Sequence, residues 1–132
     1  MSEHALRRKT ILSLRPLAAF AVENSAYPGS PDVSCTLCWI ELKKVDRWPR
    51  GNWGKVKIEL RPEQRMWLRR WCKAGGNAWV LIQVDQEYYL LHPTQVIDED
   101  ALTRKEIDER SAFYLLGWDG PALLAFLEGA HR

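Results

Sequence analysis

A chain of 132 residues, 46% of them hydrophobic, has room for one domain with a true core, and it contains no run of about 18 apolar residues that would make a membrane-spanning helix. Its net charge of +2 hides an asymmetry: residues 1–75 hold 15 Lys/Arg against 7 Asp/Glu, whereas residues 76–132 hold 4 against 10. Three cysteines, an odd number, argue against a disulfide framework and for a reducing, cytoplasmic setting, and a basic half beside an acidic half suggests a surface that meets a polyanion.

The first segment, Met1 to Arg15, is charged and amphipathic and lacks the apolar centre of a secretory signal. Residues 2–14 read as a helix, with Ser2 as N-cap and Ala5, Ile11, Leu12 and Leu14 at broadly helical spacing, ended by Pro16. The apolar run 17–23 has the length of a buried strand, and residues 24–31, rich in Asn, Ser, Gly and Pro, form a loop. Val33–Thr36 and Trp39–Val45 read as a hairpin turning near Leu37, followed by a basic, Trp-containing loop over 46–57 and a short strand at Val56–Leu60. Pro62 stands where a helix N1 proline belongs, Glu63 to Lys73 carry helical apolar spacing, and Gly75-Gly76 stops the helix. Residues 78–84 and 87–91 read as two strands joined at Asp85-Gln86. From Pro93 the chain reads as helical, with segments near 99–112 and 121–128. This order defines a mixed α/β domain whose central sheet is flanked by helices.

One constellation within it carries chemistry. Asp32 enters the hairpin, and Glu41 and Lys43, two apart on the second strand, project from one face together with Trp39. Two carboxylates and an ammonium at one place suit phosphodiester hydrolysis. Hard cations such as Mg²⁺ take oxygen ligands, and a lysine can neutralise charge on a phosphate while offsetting the repulsion of the paired carboxylates. Each residue also has a structural reading: Asp32 as a turn residue, Glu41 and Lys43 as a solvated strand face, Gln64 as helix surface. Glu3 reads as a first-turn acid favoured by the helix dipole, and Glu23 as an acid at a strand end.

The runs Gly29-Ser30-Pro31-Asp32, Trp39-Ile40-Glu41-Leu42-Lys43, Arg61-Pro62-Glu63-Gln64-Arg65 and Lys73-Ala74-Gly75-Gly76 resemble the VRR-NUC branch of PD-(D/E)xK nucleases, over roughly residues 3–84. That branch includes small phage-encoded proteins and the nuclease domain of a DNA interstrand-crosslink repair enzyme. The resemblance implies a restriction-endonuclease-like α/β fold over residues 1–132, with a core at about 3–92 and a helical extension at about 93–132. It implies that Asp32 and Glu41, with the Ile40 carbonyl and help from Glu3, ligate Mg²⁺ or Mn²⁺. Lys43 would be the catalytic lysine and Gln64 its supporting glutamine. It also implies an endonuclease acting on structured or branched DNA such as junctions or flaps, working as a homodimer, intracellular and of a phage type.

Substrate contacts fall on Arg7, Arg8 and Lys9 of the first helix and on Lys44, Arg47, Arg50, Lys55 and Lys57 of the basic loop, which suit backbone phosphates. Trp48 and Trp53 suit stacking on bases or, equally, anchorage of a long loop in the core. Cys35 and Cys38 form a CxxC without a second ligand pair, which disfavours structural zinc. Two other classes stay open: a nucleic-acid-binding module of the same fold without catalysis, and a protein-interaction or inhibitor domain that uses the acidic half.

Overall fold

Residues Ala78–Val84 are buried at every position, as a strand covered by helices on both faces must be. In the computed structural model, which describes residues 3–22, 29–51 and 53–131, this strand lies near the centre of a six-stranded mixed sheet. In chain order the elements are α1 (Glu3–Ser13), β1 (Phe20–Ala21), β2 (Val33–Ser34), β3 (Trp39–Val45), β4 (Lys55–Lys57), α2 (Pro62–Lys73), β5 (Ala78–Val84), β6 (Glu87–Leu91), β7 (Ala101–Thr103), α3 (Arg104–Arg110), β8 (Phe113–Leu116) and α4 (Gly120–Ala130). The main sheet runs β1-β2-β3-β5-β6-β8, and β4 and β7 form a separate antiparallel ribbon.

Only β3 and β5 are parallel, with Glu41 opposite Val80 and Lys43 opposite Ile82, and α2 makes the crossover between them. Alternation along the strands sorts side chains onto two cores. Ile40, Leu42, Leu81 and Leu90 pack with Leu6 and Leu14 near α1 and with Leu123 and Leu127 of α4. On the other face Val80, Ile82, Tyr89 and Leu91 pack with Leu68 of α2, Ile107 of α3 and Val56 of β4, and Trp39, Trp67 and Trp71 close the edge. Burying one such large side chain stabilises the fold by about 1.5–3 kcal/mol, so this two-sided core fixes where each β3 residue points.

The hairpin forms as its alternation implies, with Val33 opposite Ile40 and a turn closed by Cys35 N–H on Cys38 O at 3.0 Å. Three expectations need correction. The apolar run 17–23 is not a strand throughout: Arg15–Leu17 form a 3₁₀ turn and Ala18 is left-handed at φ 54°, so extended pairing covers only Phe20–Ala21. The stretch from 93 is not simply helical. Thr103 caps α3 reciprocally with Glu106, which delays the helix and leaves Ala101–Thr103 to pair with β4. Phe113–Leu116, within the stretch read as helical, is an edge strand on β6, so the region expected to be a helical extension adds a strand to the main sheet. Ser2 and Glu23 lie outside the described residues.

Candidate active site

The site begins where β2 ends. With β2 only two residues long, the Leu42 N–H has no strand partner on that side, and the Asp32 carboxylate accepts it at 2.8 Å. The loop carrying Asp32 is held against α2. Gly29 has φ +88°, and a Cβ there would lie 2.1 Å from the Glu63 carbonyl oxygen, so only glycine permits this approach. The Gly-Ser-Pro-Asp run and the start of α2 are thereby brought to the same edge of β3.

On α2, the Gln64 side-chain oxygen accepts the Arg61 backbone N–H at 2.8 Å, which closes the helix start. That bond turns the Gln64 amide nitrogen toward Glu41, to which it donates at 3.1 Å. Glu41 is 1% exposed, and its other oxygen, Oε1, is buried without a hydrogen-bond partner among the described residues. Lys43 Nζ donates to the Glu59 carbonyl at 2.6 Å and reaches Gln64 Oε1 at 3.5 Å and Glu41 Oε2 at 3.6 Å. Glu41, Lys43 and Gln64 thus form one connected group on the α2 side of β3, and Asp32, held on the Leu42 N–H, stands close enough for its charge to act on Glu41.

Electrostatics follows from this packing. Burial first, then the neighbouring Asp32 charge, pushes the Glu41 carboxyl up to about 9, against the lowering effect of Lys43. Lys43 does not prevail because its nearest partner is the Glu59 carbonyl rather than Glu41. Glu41 therefore holds a proton at neutral pH until something positive enters beside it. The Glu3 carboxyl is also raised, chiefly by burial, with Lys43 opposing and Asp32 adding to the rise, so α1 delivers it to the same field. Glu3 lines both a cavity of about 460 Å³ shared with Lys43, Lys44, Lys55, Lys57 and Glu59 and a smaller one of about 230 Å³ shared with Asp32 and Arg7.

Among the described residues no group of three or more His, Cys, Asp and Glu side chains is gathered as a metal cage. The donor set nevertheless fits a hard divalent cation that keeps most of its waters: the Asp32 carboxylate in the loop that enters β2, the Glu41 carboxylate on β3 with one oxygen buried and unpartnered among the described residues, and Ile40 preceding Glu41.

The remaining candidates divide by position. Lys44, Lys55 and Lys57 gather around the cavity that holds Lys43, and Arg7 stands beside Asp32. Arg8, Arg47 and Arg50 are exposed, and Trp53 is 90% exposed. Lys9 is instead engaged inside the fold: it donates to the Tyr88 hydroxyl and sits over the Tyr88 and Trp118 rings at 4.5 and 5.1 Å. Trp48 is likewise a packing residue, edge-on to Tyr89 at 5.8 Å, donating to Glu87 and covered by Arg104 at 4.5 Å. Arg65, which in sequence reads either as part of the basic face or as ordinary helix surface, clamps the carbonyls of Ile58, Leu60, Ile97 and Glu99. The sequence reading missed Glu59 and Glu87, since neither belongs to a local pattern and their partners come from other elements.

No family model matches this chain, and no curated protein matches its sequence. Among solved structures it is similar to Hjc, a Holliday junction resolvase from the archaeal hyperthermophile Archaeoglobus fulgidus, with a TM-score of 0.56 and 14% sequence identity. The match covers 80% of this chain and 92% of that one. Likeness at this identity shows the fold, a central mixed sheet flanked by helices as in that resolvase.

Proposed function

We propose that the chain is a metal-dependent endonuclease of the PD-(D/E)xK class, close to its VRR-NUC branch, that hydrolyses DNA phosphodiester bonds in branched substrates such as junctions or flaps. The observation that carries this reading is the joined group of Glu41, Lys43 and Gln64 beside Asp32, with one Glu41 oxygen buried and without a hydrogen-bond partner among the described residues. The shared fold with a solved junction resolvase supports it.

In this reading Asp32, Glu41 and the Ile40 carbonyl, assisted by Glu3, hold Mg²⁺ or Mn²⁺, which supplies polarisation of a phosphoryl oxygen and a lowered pKa for bound water. Gln64 keeps one Glu41 oxygen oriented, because its own carbonyl is fixed by the Arg61 N–H. Asp32 is held in place by the Leu42 N–H. Lys43, braced on the Glu59 carbonyl, presents its charge where negative charge develops on the phosphate. Lys44, Lys55 and Lys57 bind the flanking backbone without reading bases. A homodimer, with two sites for two strands, belongs to the same proposal, and sedimentation of a monomer alone would count against it.

The test is cleavage of labelled linear duplex, single-stranded, flap and four-way-junction DNA, with and without Mn²⁺ or Mg²⁺, beside Lys43→Ala. Metal-dependent cutting that disappears in the variant is expected. Binding without any cutting would leave only a non-catalytic module of the same fold, and neither binding nor cutting would sink the proposal.

A further inference from the structure

The most exposed large hydrophobic side chain among the described residues is Trp53, at 90%, in the loop between β3 and β4. The root of that loop is fixed: Trp48 donates to Glu87, stands edge-on to Tyr89 and lies under Arg104. Its turn is also set locally. Gly51 has φ +81°, and a Cβ on Gly54 would lie 2.4 Å from the Pro49 side chain. A fastened loop that presents a bare indole to water gains nothing from hydrophobic burial, and an exposed aromatic beside cationic side chains has the form of a stacking surface.

The surroundings name its chemistry. Trp53 lines a cavity of about 680 Å³ with Trp48, Pro49, Arg104, Lys105 and Asp108. Pro49 also lines the cavity that holds Lys43, so the two hollows adjoin. Lys55 and Lys57, exposed on β4 and without an ion pair among the described residues, line the Lys43 cavity and follow Trp53 directly in the chain. An aromatic side chain on one hollow and ammonium groups on the adjoining one match a nucleobase and the phosphates beside it. Arg104 is held by Glu87 and is a brace rather than a contact.

Resting on the nuclease reading, we propose that Trp53 is a stacking platform for an unpaired nucleobase near the scissile phosphate. It therefore biases the enzyme toward DNA with single-stranded nucleotides at the cut over continuous duplex. In continuous duplex the base faces are covered by their neighbours, so only a flap, fork or junction offers a free face to the indole.

The experiment titrates wild type, Trp53→Ala and Trp53→Phe, in EDTA to prevent cutting, into a flap DNA carrying 2-aminopurine in the unpaired arm and into a continuous duplex of the same sequence. Wild type should quench the probe, and Trp53→Ala should lose the quench and bind the flap about 10-fold more weakly, with duplex affinity within about 2-fold of wild type. Trp53→Phe should keep most of both signals. Equal flap binding by wild type and Trp53→Ala, or an equal loss on both DNAs, would overturn the stacking role while leaving the nuclease reading intact. Failure of wild type to bind either DNA, both in EDTA and with Ca²⁺ in its place, would overturn both.

Discussion

Two side chains show how strongly a few ångströms of packing set chemistry here. Glu41 sits behind β3 and α2 with Asp32 beside it, so its carboxyl is pushed from an ordinary 4.5 up to about 9. Between those values the folded chain holds a proton that the unfolded chain releases. Its contribution to stability is fully present below about 4.5 and lost as the pH rises through about 9. Glu41→Gln has nothing to titrate, so its stability relative to wild type should rise steadily from pH 5 to pH 8, read as a widening gap between the two melting temperatures. Parallel melting curves across that range would show that burial does not govern Glu41. At Cys35 the neighbour matters most: the Cys38 sulfur, 3.7 Å away, lowers its thiol to about 6, while Cys38 is driven up and burial raises Cys72. Iodoacetamide at about pH 7 should therefore label Cys35 well before Cys72 in a peptide-mapping experiment. Equal rates at the two positions would contradict the pairing.

At the scale of elements, the site depends on how two short pieces of backbone meet: the loop bearing Asp32 and the first turn of α2. Gly29 is the contact between them. Gly29→Ala places a Cβ against the Glu63 carbonyl in a backbone region unfavourable to alanine, so either the loop or the helix start must shift. A loss of about 1–3 kcal/mol in thermal or denaturant unfolding is expected, with a fall in cleavage because Asp32 and Gln64 separate. Unchanged unfolding would mean that the two pieces are not locked together. The same elements show what was readable in the chain. Pro62 in the first turn, the helical spacing of Trp67, Leu68 and Trp71, and Gly75-Gly76 delimit α2, and the continuous apolar run and its Asp-Gln turn give β5 and β6. Glu41 and Lys43 were readable as partners on one face, since alternation alone puts them there. β7 and β8 were not readable, because β7 is three residues long and β8 follows α3 without a Gly or Pro break. Nor could spacing show that Lys9 and Trp48 are held by Tyr88 and Glu87, residues about 80 and 40 positions away.

For the whole molecule, the charge asymmetry along the chain resolves into two different uses. Much of the acidic half is tied up internally: Glu87 with Arg104, Asp98 with Arg69, and Glu99 and Glu106 with Arg110. One of these pairs reaches α2, one ties α3 to β6 and two lie within the C-terminal region, so these carboxylates already have cationic partners, which weakens the case for an acidic docking face. The basic surplus lies largely elsewhere. Lys55 and Lys57 are exposed on the rim of the Lys43 cavity, with no ion pair among the described residues. Cations that contact phosphate displace counterions, so each contact adds about 0.9 to the slope of log affinity against log salt on duplex DNA. The double variant Lys55→Ala/Lys57→Ala should therefore bind DNA more weakly at low salt and lower that slope by about 2, with its melting temperature nearly unchanged because both side chains face water. A weaker but equally salt-sensitive complex would place these lysines outside the DNA path, and the hollow adjoining that of Trp53 would then lose its phosphate contacts.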